Sequence, residues 1–206
     1  MAAAGAVLYS AAESEPYLNG ERGGMAQSAG ENHPGRALLQ HLQRVGKGTT
    51  FTGEIFGLVG KSPFFAEFSR EDISILAGYM DAYRARGGES IIKENDGGDF
   101  MLLVIQGTVD IYKKNMRGQE QHMTSVGPGM TLGEMSMVDG EPRFASCVAM
   151  DPTVFAVLHR DDMAKIILDH PSLGSKILVK LVSMLSARLR QTSARLLQYM
   201  ERSSLV

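Results

Sequence analysis

Between residues 82 and 158 the apolar residues come in short runs, broken at nearly even intervals. The breaks fall at Gly87-Gly88, Gly97-Gly98, Gly107, Asn115 to Gly118, Gly127-Pro128-Gly129, Asp139-Gly140 and Asp151-Pro152. Glycine, proline and the Asx residues interrupt regular backbone because they favour turn conformations. Between the breaks lie β-rich runs such as Met101-Leu102-Leu103-Val104-Ile105 and Thr108-Val109-Asp110-Ile111-Tyr112. Short strands with turn signals every eight to twelve residues or so predict a sandwich or barrel.

The flanks carry a different period. Leu38, Leu39, Leu42 and Val45 predict a short amphipathic helix over 37–45, and Ile55, Phe56, Leu58 and Val59 continue an apolar face. Ser62-Pro63-Phe64-Phe65 reads as a tight turn carrying two aromatic rings. Ser69-Arg70-Glu71-Asp72 opens a helix, with a capping serine and an acid three residues on, and Ile73, Leu76 and Met80 form its buried side. After the strands, Arg160-Asp161-Asp162 starts a helix through Leu168, and His170-Pro171 ends it because the residue before proline is pushed out of helical space.

Pro171 then opens a long segment to about Arg202, with no glycine after Gly174 and no further proline. Leu178, Val182, Leu185, Leu189, Thr192, Leu196 and Tyr199 alternate by four and three, the spacing of a two-stranded coiled coil. At about 1.5 Å per residue such a helix reaches roughly 45 Å, longer than one small barrel needs. A parallel homodimer through this helix is expected; the alternative packs the stripe onto the chain's own barrel. Thr192 is the one polar residue on that seam.

The pattern divides the chain into an N-terminal extension (1–35), a helical segment (36–80), a β-roll (81–158) and a hinge helix with a long C-terminal helix (159–206). Residues 1–35 are rich in Ala, Gly, Ser, Glu and Asn without sustained period and are expected to be disordered. Met25 is an alternative start, which would leave 1–24 untranslated. The 206 residues, 44% hydrophobic, suffice for one domain with tails. A net charge of −2 exerts no general pull toward nucleic acid or membrane. No apolar run approaches the ~18 residues of a membrane span, and the N-terminus lacks the basic and apolar regions of a signal peptide, so a cytoplasmic location is expected.

Candidate chemistry is sparse outside one stretch. The single cysteine, Cys147, lies in an apolar strand and is expected to be a buried, inert thiol. His33, His41, His122, His159 and His170 are scattered, and no pair has metal-ligand spacing. That argues against a cupin-like metal enzyme, and no nucleophile and base stand in a supporting context. No metal and no catalytic activity are expected.

The exception runs from Gly133 to Ser146: Gly133-Glu134-Met135-Ser136-Met137-Val138-Asp139-Gly140-Glu141-Pro142-Arg143-Phe144-Ala145-Ser146. Gly133 permits close backbone approach to a ligand. Glu134 to Val138 form a short helical turn whose free N–H groups suit an anion. Asp139-Gly140 ends it, and Pro142 fixes the backbone before Arg143. An arginine there meets a phosphate with two parallel charge-assisted hydrogen bonds, and Glu134 is left to accept from a sugar hydroxyl. The alternative is a turn-helix whose Arg143 and Glu134 pair on the surface.

This stretch resembles the phosphate-binding cassette of the cyclic-nucleotide-binding domain family. The glycine order in Gly88-Glu89-Ser90-Ile91-Ile92, Gly98-Asp99, Gly107 and Gly127-Pro128-Gly129 resembles its β-roll, so the likeness covers about 65–200. The resemblance implies a mainly β fold with flanking helices (α+β): a double-stranded β-helix, or jelly-roll β-roll, with N-terminal helices and a long C-terminal helix. It also implies cAMP as the ligand, bound by Gly133, Glu134, Met135, Ser136, Arg143, Phe144 and Ala145, with cGMP or cyclic di-GMP as alternatives. A Thr-Ser pair on the C-terminal helix reads adenine in the catabolite-activator branch. Gln191-Thr192-Ser193-Ala194 is similar, which would make Thr192 and Ser193 base readers and Arg188 a partner of Glu134 or of the phosphate. The resemblance further implies a sensor that changes conformation and signals to an effector protein.

Three departures stand out. Pro171 to Thr192 is about one helical turn longer than in that branch, a rise of about 6 Å. Phe144 replaces a small residue, and loss of a charged hydrogen bond from a hydroxyl there would cost about 1.5–3 kcal/mol, roughly 10- to 100-fold in affinity. A scaffold that dimerises or binds a partner without nucleotide is therefore the other reading. Finally, only Glu201 to Val206 follow the long helix, so a helix-turn-helix DNA-binding module is not expected.

Overall fold

The computed structural model describes residues 37–59 and 61–203. The extension predicted to be disordered, 1–35, lies outside them. Among the described residues nine strands form two antiparallel sheets: β1 (Gln43–Lys47), β2 (Asp81–Ala85), β3 (Ser90–Ile92), β4 (Phe100–Gln106), β5 (Val109–Lys114), β6 (Glu120–Val126), β7 (Thr131–Leu132), β8 (Ser146–Ala149) and β9 (Thr153–His159). One sheet has the order β1-β2-β9-β4-β7 and the other β3-β8-β5-β6. Pairing between strands far apart in sequence gives the jelly-roll form, mainly β with flanking helices.

The run Met101–Ile105 is apolar at every position because β4 is buried on both faces. Phe100, Leu102 and Val104 point between the sheets, against Tyr83, Phe155, Val157 and Cys147. Met101, Leu103 and Ile105 point the other way, under the helices, against Phe65, Ile73, Leu76 and Ile166. β9 divides likewise, with Phe155 and Val157 inside the roll and Val154, Ala156 and Leu158 under the helices.

Among the described residues five α-helices flank the roll: α1 (Thr52–Gly57), α2 (Arg70–Tyr79), α3 (Glu134–Asp139), α4 (Arg160–Asp169) and α5 (Pro171–Ser203). The capping box opening α2 forms as expected: Asp72 N–H donates to Ser69 Oγ at 3.1 Å, and Ser69 N–H to Asp72 Oδ2 at 2.8 Å. Phe64, Phe65 and Phe68 pack edge to face with centroids 5.1–5.6 Å apart, which seats the turn before α2. Lys176 donates to Asp72 at 2.7 Å, tying α5 to α2.

One predicted element is different. The helix expected over 37–45 is only a turn at its start, and Gln43–Lys47 form β1. Leu39 and Leu42 are buried as their pattern required, but the backbone beyond them pairs with β2, Gln43 opposite Arg84 and Lys47 opposite Asp81. Buried Asp81 draws Arg44 to 2.7 Å and Lys47 to 3.1 Å. Long-range pairing outweighs a short local period.

The C-terminal helix carries two apolar stripes. Leu173, Ile177 and Leu181 are buried in the core beneath the helices. The predicted seam lies elsewhere on the same helix: Leu178, Val182, Leu189, Thr192, Leu196 and Tyr199 are exposed, and Leu185 is half-buried. With 33 residues α5 is about 50 Å long. α4 and α5 cross closely at Gly174, where a Cβ would lie 2.9 Å from the Ile167 Cα. No helix of the described residues is long and apolar enough to cross a membrane.

Candidate nucleotide-binding site

β7 leads into Gly133, which caps α3 with φ 78° and ψ 6°, a left-handed conformation that favours glycine. A Cβ on Gly133 would lie 2.6 Å from Arg143 Nη1 and 3.1 Å from the Phe100 carbonyl oxygen. The motif therefore needs glycine for both backbone and space. α3 ends at Gly140, also left-handed at φ 79°, whose N–H donates to the Ser136 carbonyl at 3.0 Å.

The chain then returns to place Arg143. Its N–H donates to the Asp96 carbonyl at 2.8 Å, and its own carbonyl accepts from Asn95 at 2.9 Å. The guanidinium is buried, 3% exposed. Nη1 donates to the carbonyls of Phe100 at 2.8 Å and Gly133 at 2.9 Å. The Phe100 ring lies beneath it, 4.2 Å from centroid to Cζ. Gly98 walls the other edge so closely that a Cβ there would sit 2.0 Å from Nε. Among the described residues the buried Nη2 has no hydrogen-bond partner. Burial lowers the Arg143 pKa from its ordinary value. A buried donor without acceptor is costly in a finished core and serves where a ligand completes it.

Glu134 is 1% exposed and bonded to Nη1 of Arg188 on α5. Arg188 Nη2 also donates to the Thr131 carbonyl at 3.2 Å. Burial raises the Glu134 pKa, and the Arg188 charge opposes that rise without cancelling it. The alternative of a surface Glu134–Arg143 pair is thus not adopted: both groups are buried and Glu134 takes Arg188.

These groups share one cavity of about 100 Å³. Gly133, Glu134, Met135, Ser136, Arg143, Phe144, Ala145 and Arg188 line it, all expected from the sequence. Thr192 and Ser193 do not. They lie one turn further along α5, both exposed, and do not line the cavity of their own chain. Ile92, Ile111, Leu132 and Cys147 form an apolar wall the sequence reading did not assign. Burial pushes the Cys147 thiol up to about 12, so it is protonated and unreactive at neutral pH. Arg143 and Ile92 also line a second cavity of about 360 Å³, with His41, Ser90, Lys93 and Asp96.

Phe144 is turned outward. Its ring is 53% exposed, with Lys113 Nζ 4.5 Å from its centroid. Lys113 is held by the Phe144 carbonyl at 2.6 Å and Glu94 at 2.7 Å. The bulky ring is accommodated by this outward turn against Lys113. Among the described residues no group of three or more His, Cys, Asp or Glu could hold a metal ion.

Residues 84–170 match the model of the cyclic nucleotide-binding domain. A crystal structure of a cyclic nucleotide-binding domain from Methylobacillus flagellatus is 37% identical, with a TM-score of 0.71, over 81% of this chain and 96% of that one. The chain belongs to the cyclic nucleotide-binding domain family. The cyclic AMP receptor protein of Thermus thermophilus is 30% identical over 135 residues, 66% of this chain and 61% of that protein. A catabolite activator protein structure from the same organism has a TM-score of 0.61 at 30% identity, over 66% of this chain and 62% of that one. The cAMP-dependent protein kinase regulatory subunit of Yarrowia lipolytica is 29% identical over 56% of this chain and 29% of that protein. The match thus spans less than two thirds of each curated relative. The cassette and Arg143 fall inside the matched family segment; Arg188 and the exposed seam of α5 fall beyond it.

Proposed function

We propose that this chain is a sensor module that binds a cyclic nucleotide, cAMP foremost, and passes the resulting change to a partner protein. The observation that carries this reading is the unpartnered, buried Nη2 of Arg143 in a cavity also lined by Glu134. A cyclic phosphate supplies the acceptor that Nη2 lacks, and Glu134 accepts from a ribose hydroxyl. The names of the Thermus and Yarrowia relatives, both of which specify cAMP, support that nucleotide.

The exposed seam of α5 supports a homodimer, with Leu178, Val182, Leu189, Leu196 and Tyr199 meeting a second copy. In that arrangement Thr192 and Ser193 read the base. Binding shifts the population of the cassette and α5 between two arrangements, and the changed surface meets the effector. The module acts in the cytoplasm and carries out no catalysis of its own.

One observation favours a second reading, a dimerising scaffold without nucleotide. The cavity of about 100 Å³ is smaller than the roughly 300–1,000 Å³ of small-molecule sites, and the Arg188–Glu134 contact closes one side. Nucleotide entry then requires Arg188 to move off Glu134. Isothermal titration of cAMP, cGMP and cyclic di-GMP into the purified chain decides between them. Saturable binding of cAMP, one per chain, is expected; heat from cyclic di-GMP or cGMP alone would discard the adenine assignment, and no heat from any would favour the scaffold.

A further inference from the structure

We propose that Arg160 is the positioning residue that couples the cassette to the two C-terminal helices, so that movement of α3 is passed to α5. The inference rests on the nucleotide-binding reading above and names the part that transmits it.

The last carbonyls of any helix lack partners within the helix and must find them elsewhere. α3 has only six residues, so most of its hydrogen-bonding capacity lies at its ends. At its carbonyl end Gly140 N–H donates to the Ser136 oxygen, and Arg160, the first residue of α4, supplies two further bonds. Arg160 Nε donates to the Met137 carbonyl at 2.7 Å and Nη2 to the Ser136 carbonyl at 2.6 Å. Gly140 lies beside the guanidinium: a Cβ there would stand 3.5 Å from both terminal nitrogens of Arg160, an ordinary contact distance.

The same residue reaches the other half of the site through its backbone. Arg160 N–H donates to the Asp99 carbonyl at 2.7 Å. Asp99 follows Gly98, which backs the Arg143 guanidinium. Arg160 therefore contacts the cassette helix and the loop behind the phosphate-facing arginine at once. At the other end of α3, Glu134 is bonded to Arg188 of α5. α4 and α5 are packed on each other at Gly174 and Ile167. The cassette helix is thus held at both ends by arginines from a joined helix pair. Bonds from a fixed guanidinium fork to two carbonyls resist both sliding and rotation, which the apolar contact of Met137 with the core does not.

Hydrogen exchange along α5, read by mass spectrometry on the full chain with and without cAMP, tests this. Wild type, Arg160→Met and Arg160→Lys are compared, each with its cAMP affinity measured by titration. The wild type is expected to show a cAMP-dependent change in exchange beyond residue 181. Arg160→Met is expected to bind cAMP within about threefold of wild type, a small shift on the scale of site coupling, yet lose most of that change. Arg160→Lys, which keeps the charge and a single donor nitrogen, is expected to restore part of it. A full cAMP-dependent change in Arg160→Met overturns the proposal. So does a loss of affinity and of the exchange change in step with a lowered melting temperature, because that is mere destabilisation. A wild type that shows no cAMP binding overturns the nucleotide reading itself, and the titration distinguishes that failure from the failure of Arg160.

Discussion

Gly98 and Arg143 are in such close contact that a methyl group on Gly98 would lie 2.0 Å from Nε of the guanidinium. The glycine thereby sets the depth at which the arginine sits. Gly98→Ala is expected to displace Arg143 and weaken cAMP binding roughly 10- to 100-fold, the loss of one charge-assisted hydrogen bond. Titration calorimetry on the variant checks this, with circular dichroism to verify that the roll persists. Gly133→Ala is a harsher change, because φ 78° adds backbone strain of about 1–3 kcal/mol to the clash with Arg143 Nη1.

Glu134 opposes stability while serving the site. Burial raises its pKa, so the folded state holds the proton more tightly than the unfolded chain does. A raised carboxylate contributes stability below its ordinary value and loses it as pH rises through the folded value. Above the folded value the charged Glu134 therefore costs stability. Glu134→Gln is expected to melt at the same temperature as wild type or higher at pH 7, while cAMP binding weakens about tenfold as the charged acceptor is lost. Thermal melts and titrations on the same samples check both halves. A lower melting temperature would show that the bond to Arg188 outweighs the burial.

Asp81 behaves in the opposite sense. Burial pushes its carboxylate up, but hydrogen bonds and charge from Arg44 and Lys47 more than offset this and hold it below its ordinary value. Its contribution is present above the unfolded value, near pH 4, and is lost as pH falls through the folded value. Arg44→Met is expected to flatten the acid limb of the stability curve below about pH 4, because the difference between the two states narrows. Urea unfolding from pH 2 to 6 measures it. An unchanged slope would mean that Lys47 alone holds the carboxylate.

How legible these features were in the sequence depended on how local their causes are. The cassette was readable because glycine, a helix-opening acid and a proline before arginine act on their immediate neighbours. The Ser69 cap and the break at His170-Pro171 were readable for the same reason. β1 was not, because Asp81, the partner that draws Arg44 into place, lies 37 positions away. Ile92, Ile111 and Leu132 were not assigned, because a short apolar run does not say which of its residues lines a cavity and which fills the core. On α5 the heptad stripe was legible and its Leu178, Val182, Leu189, Leu196 and Tyr199 lie outside, but the second stripe, Leu173, Ile177 and Leu181, was not, because it buries under helices distant in sequence.

That outer stripe makes a prediction independent of any ligand. Leu189 and Leu196 are 69% and 59% exposed. If the proposed dimer forms through this seam, Leu189→Glu with Leu196→Glu is expected to leave a monomer, since like charges facing each other across a seam repel and the apolar burial is lost. The melting temperature of the roll itself should change little. Sedimentation equilibrium is the measurement, and a wild type that is already monomeric would remove the seam from the account.

The central claim is that Arg143 is completed by a cyclic phosphate. Titrating cAMP into wild type and Arg143→Lys tests it most directly, because lysine keeps the charge but loses the planar fork. The account predicts saturable binding of one cAMP per wild-type chain, and affinity at least about tenfold weaker in the variant at a comparable melting temperature. Equal affinity in the two proteins, or no binding to the wild type, would contradict it.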